Sequence, residues 1–517
     1  MIRKTTIAAV LAVLIFASTA ASQERPAMNL TLEEAIAKAL KNNLNVAVEM
    51  FTPELAGHSL DRAREAFLPS LKMTYGNNRN ENPSYWWLSG SGTNIDRMAN
   101  YAVSVVEAIP TGGSFSLSLQ NYRSETNQAF QLINPRYGST LQMDFTQPLL
   151  KNFGPKVARR QITQAQAGVE IADSQLRNTM IETVYLVQEG YWNLVFAVES
   201  FKVKEKSLQL GKDLLAKNRK EVEFGQLAPL EILNAEAAVA QREADLIQAE
   251  FLITRSEEVL KSMLNLAVEG GGQKFRLVPT DRPAAAAEAK PSLDSALAAA
   301  REKRPDLAIL RKTIETKELA MAVARNQMLP GLDLTLSYWS PGISGDRLLY
   351  DGNDFFGGTV IGKVPGQASD ALRDAFKMLY SNWNVGLTLT VPLSTFMTRA
   401  ELTYARADLS QSQVRLQASE QQAELEISDA VRSIEANAKR AEAYKLAREL
   451  AEKSLEAEVK KLAVGLSTNY FVLDYQEKLA NAQSLELKSK IDYVLSVERL
   501  EKAAGINLEK RSFKIGG

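Results

Sequence analysis

The chain has 517 residues, 45% of them hydrophobic and 24% charged, enough apolar content to bury a sizeable core. Its 61 basic and 61 acidic side chains cancel, which removes the basic excess that a nucleic-acid partner requires. With no cysteine and a single histidine, His58, it has no disulfide, no thiolate metal site, no cysteine nucleophile and no cysteine-linked lipid anchor, and nothing near His58 suggests a catalytic triad or zinc. Only 28 glycines and 17 prolines punctuate it, which favours long regular elements.

The first segment reads as an address. Arg3 and Lys4 precede the apolar run Ile7 to Ala17, and small residues follow from Ser18 to Ser22. This predicts a secretory signal peptide over residues 1–22, cleaved after Ala20, Ala21 or Ser22. The run is too short to span a bilayer, which takes about 20 residues. No later segment reaches that length, so any membrane crossing must be a β-barrel.

The rest of the chain repeats itself. Residues 32–71 and 293–332 align without a gap: Leu32 with Leu293, Ala35 with Ala296, Ala39 with Ala300, Ala63 with Ala324. Leu68-Pro69-Ser70-Leu71 matches Leu329-Pro330-Gly331-Leu332, where proline ends a helix and an alternating strand begins. Further on, Gln147-Pro148-Leu149 matches Val391-Pro392-Leu393, and Phe224-Gly225 matches Val464-Gly465. The boundaries follow: a first repeat over 23–268, a linker over 269–291, a second repeat over 292–505 and a tail over 506–517. Each repeat is a helix, strands, a long helix, a turn and a second long helix.

The strands carry one apolar and one polar face. Leu71, Met73 and Tyr75 alternate with Lys72 and Thr74; Phe115, Leu117 and Leu119 with Ser116, Ser118 and Gln120; Leu141, Met143 and Phe145 with Gln142, Asp144 and Thr146. In the second repeat Leu332, Leu334, Leu336 and Tyr338, then Val385, Leu387, Leu389 and Val391, follow the same rule. A sandwich would put that face inward; a membrane barrel would put it against lipid. Trp86, Trp87, Trp339 and Trp383 all fall in strand or loop regions, where interfacial aromatics gather, and favour the barrel. The second repeat supplies a pair of strands. The first supplies 69–78 and 139–147 plus a candidate hairpin, 101–109 and 113–122, whose place in the wall the sequence leaves open.

The helices are too long for a globule. Residues 155–224 and 399–464 have almost no Gly or Pro, and 230–266 and 466–504 are about half that length. Ile232, Val239, Leu246, Ile253 and Leu260 are seven apart, as are Leu466, Leu473, Ala480, Leu487 and Val494, the repeat of supercoiled helices. Glu236, Glu243, Glu250 and Glu257 form a parallel acidic stripe, either a solvated face or the lining of a water-filled interior. Four strands cannot close a barrel, whose smallest membrane form has about eight, so a barrel must be shared between chains.

Taken together, the duplication, the Leu-Pro and Pro-Leu corners, and the turn Val464-Gly465-Leu466-Ser467-Thr468 with Val472-Leu473-Asp474 beyond it resemble the TolC family of outer-membrane efflux proteins over nearly all of the mature chain. The resemblance implies a mixed α and β membrane protein: a homotrimeric outer-membrane β-barrel of four strands per chain, continued by a long periplasmic α-helical coiled-coil barrel, with two structural repeats per chain. It implies an exit duct for tripartite efflux or type I secretion. Its partners would be a periplasmic adaptor, an inner-membrane pump or ABC exporter, and outer-membrane lipid. No cofactor, metal or catalytic residue is implied.

Gly225 and Gly465 read as helix C-caps. The resemblance adds that Phe224, Gly225, Gln226 and Leu227, with Val464, Gly465, Leu466, Ser467 and Thr468, meet the adaptor at the tip. Asp474 falls where the family carries an acidic gate ring, and Phe471 where some relatives carry a second acidic residue; in the first repeat Asn234 matches Asp474, with Glu231 nearby. Ser467 stands where a basic latch is usual, so the closed state is expected to rest on other contacts. Carboxylates facing one axis would favour cations and bind multivalent ones. The linker segment Lys274 to Val278 is expected to form a short strand, and Asp370 to Tyr380 a short helix. A trimeric coiled-coil spacer or adhesin without a pore is the alternative; strands spread through both repeats count against it. An enzyme is disfavoured, because the carboxylates sit at heptad positions rather than in a converging pair.

Overall fold

The computed structural model describes residues 27–85, 92–266, 275–283, 292–352 and 359–511. In chain order these form β1 (Ala27–Leu30), α1 (Leu32–Asn42), α2 (Leu44–Glu65), β2 (Ser70–Pro83), β3 (Thr93–Ala108), β4 (Ser114–Thr126), β5 (Ile133–Pro148), α3 (Arg160–Glu223), α4 (Leu230–Met263) and β6 (Arg276–Pro279). The second repeat adds α5 (Leu293–Lys303), α6 (Pro305–Gln327), β7 (Gly331–Tyr350), β8 (Val360–Val364), α7 (Ala368–Phe376), β9 (Asn382–Thr390), α8 (Phe396–Ala463) and α9 (Asn469–Ala503). Among the described residues no helix is long and apolar enough to cross a membrane. The expected signal peptide, Trp86 and Trp87 lie outside the described residues.

Two compact units divide the chain. The sheet-bearing unit holds Pro53–Ala172 and Leu310–Leu416. Its antiparallel sheet has the order β2-β3-β4-β5-β7, and the far edge of β7 carries β9 along its first half and the short β8 near its end. The candidate hairpin is therefore in the sheet. β3 pairs with β2 over the whole length of β2, and β4 pairs with β5, so the hairpin separates two strands that would otherwise be neighbours.

The register aligns the alternation of every long strand. Leu71, Val105, Leu117, Met143, Tyr338 and Trp383 form one row of directly opposed residues, and Lys72, Ser104, Ser118, Gln142, Trp339 and Asn382 form the next. Opposed residues share a face and adjacent residues do not. One side of the sheet is thus a continuous apolar surface and the other is mostly polar. On the polar side Asp144 accepts from Ser337 Oγ at 2.7 Å and from Gln142 Nε2 at 2.9 Å.

The helical unit holds residues up to Thr52, Asp173–Ile309 and Gln417 onward. Its core packs Ile36 and Ala39 of α1 against Val187, Tyr191 and Leu194 of α3, Leu260 of α4 and Leu277 of β6. Each fully buried leucine contributes about 2 kcal/mol. A smaller second cluster sets Ala300 against Ile427, Ile434 and Leu500. Val187 and Ile427, Leu194 and Ile434, and Leu260 and Leu500 each stand 240 positions apart, so the duplication is a duplication of core.

Local chemistry starts each copy in the same way. Thr31 and Glu34 form a capping box at α1, and Ser292 accepts from the Ser295 amide at α5. The expected linker strand is β6, which pairs in parallel with β1. Tyr191 donates to Asp281 Oδ2 at 2.7 Å, and burial pushes its phenol up to about 12. The expected short helix is α7, packed on β7 and β5 with Ala371 and Ala375 buried.

Candidate channel tip and gate

The two long helical hairpins end in matching turns. Gly225 (φ 71°) and Gly465 (φ 75°) are left-handed. Gly225 N–H donates to the Val222 carbonyl at 2.9 Å and Gln226 N–H to that of Glu221 at 2.8 Å. Gly465 and Leu466 repeat the pattern on Leu462 and Lys461 at 3.1 and 2.9 Å. This is the cap in which the residue after the helix takes positive φ and returns two orphan carbonyls to hydrogen bonding. Nothing lies within 4 Å of a β-carbon added at either glycine, so backbone conformation alone demands glycine.

Both turns present apolar side chains to solvent: Phe224 is 75% exposed and Leu466 78%, with Val464 similar. Gln226 and Thr468 are exposed, while Leu227 and Ser467 are half-buried. Ser467 Oγ donates to Glu458, so the residue at the basic-latch position ties its own hairpin together. Near the turns, Asn469 is buried with both amide atoms unpartnered, and Glu231 Oε2 is likewise buried without a hydrogen bond.

Of the gate residues expected from the sequence, Asn234 and Asp474 come together. They line one cleft of about 430 Å³ between α4 and α9, with Tyr470 and Lys204 on its wall. Asp474 does not stand alone there: Lys478, one turn on, donates to it at 2.7 Å. Phe471 is exposed and stacks edge-on against Tyr470 with centroids 5.7 Å apart. Glu231 does not line the cleft.

Sequence reasoning missed Arg242. Its side chain is buried, donating through Nη1 to the Ser207 carbonyl at 2.8 Å and Gln476 Oε1 at 3.0 Å, and through Nη2 to the Leu473 carbonyl at 3.2 Å. One guanidinium thus joins α3, α4 and α9. Burial pulls its pKa below the usual guanidinium value. Gly211 makes the space, since a β-carbon there would stand 2.8 Å from Arg242 Nη1. A signal did exist: Arg242 falls on the heptad seam between the buried alanines Ala235 and Ala249, where a charge is out of place.

The acidic stripe is neither bare nor uniform. Glu236 pairs with Arg219 at 2.8 Å and Glu243 with Lys212 at 2.9 Å, both across to α3. Glu257 is buried against Lys261. Trp383 is 72% exposed on the apolar face of the sheet. Trp339, adjacent to Tyr338 and therefore pleated the other way, lies on the polar face opposite Gln142 and Asn382. His58 is exposed beside Glu54.

Comparison with known proteins fits this geometry. The sequence profile of the outer membrane efflux protein family matches residues 35–266 and 296–506, the two repeats. The alkaline protease secretion protein AprF of Pseudomonas aeruginosa is 22% identical over 376 residues, 72% of this chain and 70% of that one. Among solved structures, the Campylobacter jejuni CmeC outer membrane channel superposes with a TM-score of 0.64 at 15% identity, covering 92% of this chain and 86% of its own. The outer membrane protein VceC of Vibrio cholerae gives 0.62 at 16% identity, covering 92% and 96%. These likenesses show a shared mixed α and β channel fold. The chain belongs to the outer membrane efflux protein family, and it serves in the outer membrane as an exit duct for efflux or secretion.

Proposed function

We propose that three copies of this chain close their sheets into one barrel in the outer membrane and enclose a water-filled passage with their helices. The duct is passive and carries out no chemistry of its own. An inner-membrane pump or ABC exporter drives it through a periplasmic adaptor that meets Phe224–Leu227 and Val464–Thr468. The observation that carries this reading is the sheet: a continuous apolar face across every long strand, with Met73, Trp383 and Leu387 all more than 65% exposed. A surface of that extent is stable against lipid rather than water.

The tip supports the docking part of the reading. Exposed Phe224, Val464 and Leu466 suit a protein partner better than bulk water. Asp474 and Asn234 are assigned to the gate ring, with Glu231 and Phe471 flanking it. Trp383 is assigned to the lipid interface, and Trp339 to the water-filled side. Single-channel recording in a planar bilayer tests the whole proposal: small, long-lived, cation-selective steps are expected. A protein that stays monomeric under mild extraction would overturn it.

A further inference from the structure

The additional hairpin changes the size of the barrel. Resemblance to the family implied four strands per chain, but this sheet has six wall positions: β2, β3, β4, β5, β7, and a last one occupied by β9. β8 does not add a seventh, because it shares the β7 edge with β9 and pairs only with Arg347–Tyr350 beyond it.

Several observations show that the hairpin is built as wall rather than as an appendage. β3 and β4 have 16 and 13 residues, more than the roughly 9–11 that a tilted strand needs to cross a bilayer. Their pairing with each other and with β2 and β5 runs without a register shift. Tyr101, Val103 and Val105 fall on the apolar face with Leu117 and Leu119, in the same rows as Leu71, Met73, Leu141 and Met143. Ala102, Ser104, Ser116 and Ser118 fall on the polar face. The turn between them is tied to the strand-to-helix corner: Gly154 N–H donates to the Thr111 carbonyl at 3.0 Å, and Thr111 Oγ1 to Gln147 Oε1 at 2.6 Å. It therefore lies at the same end of the sheet as the helix connections, as an even strand count requires.

The two outer edges belong together. β2 has no partner beyond β3, and β9 none beyond β7, among the described residues. β2 leads away from the helices and β9 leads back to them, so the edges meet antiparallel. Each presents an exposed apolar face, Leu71, Met73 and Tyr75 on one and Val385, Leu387 and Leu389 on the other. We infer that the β2 edge of each copy pairs with the β9 edge of the next, and that three copies of six strands close an eighteen-stranded barrel, the β3–β4 hairpin facing lipid. This rests on the trimeric reading above. Barrel diameter grows with strand number, so the outer mouth is about half as wide again as a twelve-stranded one.

The absence of cysteine makes the test clean. Single spin-labelled cysteines are placed along the hairpin (Val103→Cys, Ser104→Cys, Leu117→Cys, Ser118→Cys) in the full-length protein in lipid vesicles. Lipid-soluble oxygen should reach positions 103 and 117 preferentially, and a water-soluble nickel chelate positions 104 and 118. In parallel, Met73→Cys is combined in turn with Val385→Cys, Leu387→Cys and Leu389→Cys, and oxidative cross-linking should give dimers and trimers. Cross-linked trimers with all four hairpin labels open to the nickel chelate would overturn the eighteen-stranded wall and leave a smaller trimeric barrel standing. No cross-link at any pair would overturn the edge pairing, and with it the trimeric reading.

Discussion

Asn43 and Arg304 stand at matching positions of the two repeats and make the same bond. Asn43 Nδ2 donates to the carbonyl of Met263, the last residue of α4, at 2.8 Å. Arg304 Nη1 donates to the carbonyl of Ala503, the last residue of α9, at 3.2 Å. In each repeat the residue joining the first two helices thus satisfies an orphan carbonyl where the return helix ends. Arg304 has gained more, with Asp306 and Glu426 each 2.8 Å away.

Replacing either residue with alanine should cost a similar amount, for different reasons. Asn43→Ala removes the bond to Met263 and also the cap of α2, where the Asn45 and Val46 amides donate to Asn43 Oδ1 at 2.9 and 3.3 Å, about 2 kcal/mol together. Arg304→Ala also leaves Asp306 and Glu426 without their cation, and about 2 kcal/mol is expected because both carboxylates keep some solvent. Faster amide exchange in the peptide around Ala503 for Arg304→Ala, and around Met263 for Asn43→Ala, would check the pairing.

Arg242 should restrain the gate. Arg242→Ala frees α9 at Leu473, one residue before Asp474, by removing the guanidinium's bonds to the Ser207 and Leu473 carbonyls and to Gln476 Oε1. Larger single-channel conductance is expected with trimer yield unchanged. Arg242→Lys should fall between, since one ammonium cannot span three acceptors in the same fork geometry. Equal conductance in all three proteins would place the restraint elsewhere.

Asp474 and Lys478 predict opposite effects. Asp474→Ala should reduce cation selectivity and weaken block by divalent and trivalent cations. Lys478→Ala removes the ammonium 2.7 Å away and unmasks the carboxylate, so cation selectivity and block should both increase. Selectivity that ignores both substitutions would mean Asp474 does not face the ion path.

Gly465→Val forces a β-branched residue into a left-handed cap, at about 1–2 kcal/mol. The space around Gly465 is open, so the fold survives while the turn changes shape. Export is expected to fall with the trimer intact, measured as cargo outside cells carrying the variant.

Glu498 should give the helical unit a pH dependence of its own. Burial raises its pKa, against the opposing ion pair from Arg511 at 2.6 Å. Between the ordinary glutamate value and the raised one, the folded state binds more protons than the unfolded state. Stability from this group is therefore complete below that window and declines as pH rises through it. Glu498→Gln should flatten the decline that begins as pH rises past the ordinary glutamate value, read from amide exchange around Gln188, whose side chain donates to Glu498.

Much of this architecture follows from the sequence itself. The period-two runs around Leu117 and Leu387, the seven-residue seam through Val239 and Leu260, the proline corners and the two capping glycines are local signals, and local backbone preferences answer to them. The duplication made each of them count twice. What the tertiary structure alone decided is long-range. Alternation identified the β3–β4 hairpin without saying that it lies between β2 and β5, because a strand's faces do not name its neighbours. Arg242 shows it most plainly: a charge on an alanine seam is an anomaly in one helix and becomes a link only when α3 and α9 bring it three acceptors.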